Sequence, residues 1–120
     1  MFNFLGRFAI FGGGNNVSPE EIKKKMVEGH KIVILDVREP WEYQTAKIEG
    51  AILMPLGQLE KRKDELNKEA EIICQCHKGV RSFKAMKYLQ SCGFKNVKNM
   101  AGGIEAWSLK VDPSVPRYRQ

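Results

Sequence analysis

With 120 residues, 42% of them hydrophobic, the chain has the length of one ordinary domain and enough apolar content for a modest continuous core. Its 20 Lys and Arg against 14 Asp and Glu leave a formal charge of +6, which favours anionic partners; however, the runs IKKKM and EKRKDEL read as solvated helix faces with glutamates among them, and no aromatic-rich basic platform points to nucleic acid. No run approaches the roughly 18 apolar residues of a membrane span, and three cysteines, an odd number, make no disulfide framework, so reduced thiols and a cytoplasmic location are expected.

Residues 1–17 stand apart: an apolar segment, then a Gly/Asn linker. Phe4, Leu5, Phe8 and Phe11 fit one helical face. Arg7 interrupts the apolar region and no small-residue cleavage pattern follows, so a secretory signal is not expected. Packing against the domain or a second subunit is the first reading. Weak membrane contact by residues 1–16 is the alternative, because the segment is apolar but carries little basic charge.

The folded unit is expected over residues 18–108. Ser18, Pro19 and Glu21 form a capping-box pattern that opens a helix showing Ile22 and Met26 and stopping near Gly29. KIVILDV is a nearly continuous apolar strand, as expected of one covered on both faces. In REPWEYQTAKIEG, Pro40 opens a short turn or helix. AILMP reads as a short strand, and GQLEKRKDELN as a helix with Leu59 and Leu66 inward. EIICQC is a buried strand, and SFKAMKYLQSCGF a helix with Ala85, Met86 and Leu89 on one face and Gly93 past its end. NVKNM is a last strand, GGIEAW opens a final helix, and residues 109–120 form a proline-containing tail without periodicity. Strands alternating with helices imply an α/β fold, a small central parallel sheet with helices on both faces.

The stretch CHKGVRS carries the chemistry. Cys76 ends a strand just before a helix, where ligands bind in open parallel sheets and where unpaired amides attract negative charge. Lys78, Arg81 and a protonated His77 would favour a thiolate there, and Gly79 lets the backbone curl so that successive amides face inward. The other cysteines and histidines have blander readings. Cys74 is core filler, Cys92 is partly buried packing, and His30 is a surface residue in a turn. Cys74, Cys76 and His77 do not have a recognised zinc spacing, so neither metal nor cofactor is expected. His77 is expected at the rim, tuning charge and pointing away from the thiol.

CHKGVRS followed by CGF and MAGGIEAW, with LDVREPWEY and IEGAILMPL earlier in the right order, resembles the rhodanese-like sulfurtransferases over nearly the whole expected domain. The resemblance implies the family's three-layer fold. It also implies that Cys76 takes a sulfane sulfur from thiosulfate or a persulfide donor and passes it, as a persulfide, to a thiophilic acceptor. Residues 77–82 (His77, Lys78, Gly79, Val80, Arg81 and Ser82) would bind the anionic substrate, with Lys78 selecting donors. Arg81 is read first as loop support, and Ser82 first as a helix cap. Asp36, Arg38 and Glu42 are supporting residues, Asp36 and Arg38 as an ion pair bracing the loop. Where relatives often carry GHI-x-GA, this chain has Ala46-Lys47-Ile48-Glu49-Gly50-Ala51, which changes the charge of that turn. The ending VDPSVPRY is similar to rhodanese domains fused to enzymes that activate sulfur carriers, so a persulfide-carrying or sulfur-carrier protein joins the expected partners.

Two other functions compete. A non-catalytic rhodanese-type interaction module would suit the Phe-rich N-terminus, but Cys76 argues against it. A Cys-dependent phosphatase or arsenate reductase is disfavoured by loop length. Related phosphatases have Cys-x5-Arg around a tetrahedral phosphate, whereas Cys76 to Arg81 is Cys-x4-Arg, a smaller ring suited to one sulfur atom.

Overall fold

Alternating side chains on two central strands divide the core into two halves. The computed structural model, which describes residues 15–119, places β2 (Ile32–Asp36) parallel to β4 (Glu71–Gln75), with Ile34 opposite Ile73 and Leu35 opposite Cys74. Leu35, Ile72 and Cys74 face one apolar cluster, with Met86 and Leu89; Ile34 and Ile73 face the other, with Ile22, Ile104 and Trp107. Both faces of the strands are thus covered, which explains their near-continuous apolar character.

Three shorter strands complete a five-stranded parallel sheet: β1 (Asn16–Val17), β3 (Ile52–Leu53) and β5 (Val97–Met100), in the order β1-β5-β4-β2-β3. Helices α1 (Pro19–Val27), α2 (Pro40–Thr45), α3 (Leu59–Arg62) and α4 (Val80–Ser91) connect them, α5 (Gly103–Lys110) follows β5, and together the helices cover both faces. The expected three-layer α/β fold is present. In α1 the capping box is complete: Glu21 N donates to Ser18 Oγ at 3.1 Å, and Ser18 N donates to Glu21 Oε1 at 3.2 Å.

Three features depart from the sequence reading. The single helix expected over GQLEKRKDELN is broken into α3 flanked by 3₁₀ turns at Leu56–Gln58 and Lys63–Glu65. Leu59 is nevertheless buried and Leu66 packs at the core's edge. A fifth strand, β1, absent from the sequence reading, lies before residue 18 at the sheet's edge and pairs Asn16 with Asn99 and Val17 with Met100. The chain after residue 108 is not a loose tail. Val115 is buried, its carbonyl accepts from Ser108 Oγ at 2.7 Å, and the segment returns along α5 as a strap ending at Tyr118. The folded body therefore extends beyond 18–108 at both ends. The apolar face of Phe4, Leu5, Phe8 and Phe11 lies outside the described residues. Among those described, no helix is long and apolar enough to cross a membrane.

Candidate active site

Strand β4 is the middle strand of the sheet, and Cys76 follows its last residue at the carboxyl end. Cys74 and Cys76 share a face, as two residues apart on a strand must. They differ in surroundings. Cys74 is enclosed in the core, and burial, with a smaller contribution from the nearby Cys76, pushes its thiol up to about 12. Cys76 instead meets hydrogen-bond donors. Its Sγ accepts from the backbone N–H of Gly79 at 3.1 Å and of Ser82 at 3.3 Å, and Ser82 Oγ lies 3.3 Å away.

This ring forms because Gly79, at φ 109°, is the N-cap of α4 and turns the chain so that its own amide and that of Ser82, in the first turn, face the sulfur. Ser82 is therefore the third residue of α4 and not its cap, contrary to the sequence reading. Its hydroxyl reaches sideways to Asn99 Oδ1 at 2.5 Å. Asn99 is held in that orientation by donating Nδ2 to Asn16 Oδ1 at 3.0 Å and to Gly79 O at 3.3 Å. The single Ser82 hydroxyl proton serves Asn99 or Cys76, one at a time. With sulfur protonated, its S–H can donate to Ser82 while Ser82 donates to Asn99; an anionic sulfur draws the Ser82 proton to itself.

A second set of contacts locks the loop from behind. Helix α5 directs its first amides at the loop: Ile104 N donates to Cys76 O at 2.8 Å and Glu105 N to His77 O at 3.1 Å. Gly103 makes this approach possible, since a Cβ there would stand 2.5 Å from Cys76 O and closer still to His77 O. The Gly-Gly pair of MAGGIEAW thus has a physical function, and Trp107 anchors the same helix in the core.

Arg81 is bound by Glu42. The two guanidinium NH groups reach the two carboxylate oxygens at 2.7 and 2.9 Å. Glu42 also accepts from Glu39 N at 3.0 Å and from Tyr118 OH at 2.7 Å. Burial alone would raise this carboxyl, but the bonds from Arg81, Glu39 and Tyr118 outweigh it and hold it at about 2. Arg81 is correspondingly raised by its bonds to Glu42.

Asp36 and Arg38 are fully buried and form an ion pair, Arg38 Nε to Oδ1 at 2.8 Å and NH2 to Oδ2 at 2.6 Å. They brace the 38–46 turn more directly than the Cys76 loop. Arg38 also donates to Ala46 O at 2.7 Å, Glu42 O at 3.3 Å and Tyr118 OH at 2.9 Å. The turn that carries Ala46 and Lys47 in place of Gly-His is thus held by a guanidinium on its backbone.

Lys78 and Val80 are exposed at the mouth of the loop. His77 is not at the rim. Only 3% exposed, it stacks on the Tyr118 ring at 4.1 Å, with Nε2 3.8 Å from Glu105. Asn99 and Tyr118 were missed in the sequence. The polar Asn99 within an otherwise buried strand was a usable signal; Tyr118, in an aperiodic tail, offered none.

Known proteins resemble this chain in sequence and in fold. The chain is 42% identical over 96 residues to the "Putative sulfur carrier protein YrkF" of Bacillus subtilis, covering 80% of this chain and 52% of that protein. It is 32% identical over 97 residues to the "Putative sulfurtransferase YtwF" of the same organism, covering 81% and 93%. The crystal structure of a rhodanese-like domain protein from Staphylococcus aureus superposes with a TM-score of 0.76 at 28% identity, covering 88% of this chain and 99% of that one. The chain spans about half or less of the length of the first curated relatives it matches. A family model, the rhodanese-like domain, matches residues 18–110, from the cap of α1 to the end of α5, and so includes the Cys76 loop and the helix that locks it. On that match, over most of its length, the chain belongs to the rhodanese-like domain family.

Proposed function

We propose that this chain is a sulfurtransferase in which Cys76 carries a sulfane sulfur as a persulfide. The observation that carries the reading is the ring of donors around one sulfur atom: Gly79 N, Ser82 N and Ser82 Oγ, all within 3.3 Å of Cys76 Sγ. A Cys76 thiolate attacks the outer sulfur of thiosulfate, forming the Cys76 S–S bond as the S–S bond of thiosulfate breaks and sulfite leaves with the electron pair. The same amides hold the anionic persulfide. An acceptor thiolate then attacks the outer sulfur, and Cys76 departs as a thiolate. A protein persulfide can replace thiosulfate as donor, and a sulfur-carrier protein can replace the small acceptor. The relatives named for sulfur carriage and sulfur transfer support that class of partner.

The phosphatase alternative meets an obstacle in Arg81. A phosphate-binding arginine must offer its fork to substrate oxygens, and here both NH groups are committed to Glu42. Steady-state turnover of thiosulfate with cyanide tests the proposal. It requires parallel double-reciprocal lines, the mark of a covalent intermediate, and loss of turnover in Cys76→Ser. Converging lines, or Cys76-dependent hydrolysis of a phosphate ester without sulfur transfer, would overturn it.

A further inference from the structure

The C-terminal strap ends in a fixed point. Tyr118 accepts from Arg38 at 2.9 Å and donates to Glu42 at 2.7 Å, and its ring lies parallel to His77, 16° between planes. Its hydroxyl is thereby held between two ion pairs, Asp36–Arg38 and Glu42–Arg81. Pinning Tyr118 places its neighbours Arg117 and Arg119 on the wall of a cleft of about 690 Å³, also lined by His77, Lys78 and Glu105. The inner wall of this cleft is made of the two residues that directly follow Cys76.

The charge of the cleft is unbalanced. Arg117 binds Glu105 at 2.6 Å and, with lesser contributions from His77 and Lys78, holds that carboxyl below the usual range. Lys78 and Arg119 have no ion-pair partner among the described residues. Three cations therefore face one carboxylate. The volume lies within the usual range for small-molecule sites, roughly 300–1,000 Å³, and greatly exceeds what a thiosulfate ion needs. The Tyr118 ring, which covers His77, forms part of the lining and offers an apolar surface beside these charges.

We infer that this cleft is the acceptor subsite, and that it selects small thiols carrying carboxylates. The inference rests on the sulfurtransferase reading for its chemistry. The donor is handled by the amide ring; the acceptor's carboxylates are held by Arg119 and Lys78, while Arg117 stays on Glu105 through Nε and NH2 at 2.9 and 2.6 Å, and the acceptor's sulfur approaches the loop. The transfer is balanced: an acceptor thiolate RS⁻ forms a bond to the outer sulfur of Cys76-S-SH, the Cys76 S–S bond breaks, and the products are RS-SH and the Cys76 thiolate. No external oxidant or reductant is consumed. The C-terminal strap, which the sequence presents as an aperiodic tail, thereby becomes a specificity element.

The test uses two thiols of different charge on the same persulfidated protein. Full-length protein is loaded with thiosulfate, freed of excess, and mixed with glutathione, which bears two carboxylates, or with uncharged 2-mercaptoethanol. Decay of the added sulfur is followed by intact mass. In Arg119→Glu, transfer to glutathione slows about threefold or more, as expected for reversing one exposed charge beside an anionic ligand. Transfer to 2-mercaptoethanol does not change. Added salt slows the wild type with glutathione and narrows its gap to the variant. In parallel, unloaded protein is titrated with S-methylglutathione, which cannot accept sulfur, and amide shifts at Lys78, Arg117 and Arg119 are read by NMR; the wild type binds more tightly than the variant. Equal slowing with both thiols, or no slowing with either, overturns the inference. Should the wild type take up no sulfur, the sulfurtransferase reading fails, and the S-methylglutathione titration alone decides whether the cleft binds anions.

Discussion

Glu42 and Arg81, 39 residues apart in sequence, face each other as a two-pronged pair, at 2.7 and 2.9 Å, with the carboxylate side chain 1% exposed and the guanidinium 24% exposed. The pair couples α2 to the first turn of α4 and so fixes the loop that surrounds Cys76. Removing one partner of a buried pair is costly because the other is left uncompensated. Glu42→Gln is expected to lose about 3 kcal/mol of unfolding free energy. Urea denaturation measures it; a loss below about 1 kcal/mol would show that the pair is not what holds the loop.

The same carboxylate sets an acid limit. Its titration is depressed from 4.5 to about 2 in the folded protein, so its stabilising contribution is complete above pH 4.5 and is lost as pH falls towards 2. The shift corresponds to about 3 kcal/mol. Wild type is expected to lose stability more steeply than Glu42→Gln across that window, and the two curves should run parallel above pH 5. Parallel curves below pH 4 as well would remove Glu42 from the acid transition.

Gly103 and Gly29 separate backbone strain from steric conflict. Both have positive φ, 62° and 82°, but a Cβ at Gly29 meets nothing within 4 Å, whereas one at Gly103 strikes the carbonyls of Cys76 and His77. Gly29→Ala should cost about 1 kcal/mol and leave sulfur loading unchanged. Gly103→Ala should cost more, about 2 kcal/mol or above, and suppress loading by displacing the loop. Equal behaviour of the two variants in denaturation and loading assays would contradict the packing argument.

Tyr118 offers a graded case. Tyr118→Phe keeps the stack on His77 and deletes the hydroxyl shared by Arg38 and Glu42, at an expected cost of about 2 kcal/mol. Tyr118→Ala removes the ring as well and should cost a further 1 kcal/mol or so. Thermal or urea unfolding of the pair reads the difference. If Tyr118→Phe matches wild type, the hydroxyl is not what anchors the strap.

The two cysteines outside the donor ring are expected to react in an order set by their surroundings. Cys74, enclosed and pushed up to about 12, should resist iodoacetamide at pH 8 until the protein unfolds. Cys92, half-buried at the end of α4, should label in the native state. Peptide mapping after brief alkylation checks this, and native labelling of Cys74 would contradict its placement in the core.

Much of this arrangement was legible in the sequence because it is local. The run KIVILDV, the Ser18–Glu21 capping box and the glycine of CHKGVRS each declare their conformation within a few residues. What stayed hidden depends on contacts between distant segments. The strand Asn16–Val17 is too short to show a period and exists through its pairing with Asn99 and Met100. His77 looked like a rim residue because nothing nearby in sequence announces Tyr118, 41 positions later, as its cover. Ser82 looked like a cap because the sequence does not reveal that Gly79 takes that position and leaves Ser82 between Cys76 and Asn99. The Arg38 contact with Ala46 O likewise joins a strand end to a turn through a side chain that pattern alone cannot aim.

The most direct measurement is the intact mass of the full-length protein after incubation with thiosulfate, followed by peptide mapping. A gain of one sulfur atom is expected, located on Cys76 and not on Cys74 or Cys92, reversed by a thiol reductant and absent in Cys76→Ser. No gain from thiosulfate or from a protein persulfide, or a gain that persists in Cys76→Ser, would contradict the assignment of Cys76 as the sulfur carrier and leave the donor ring to an interaction module.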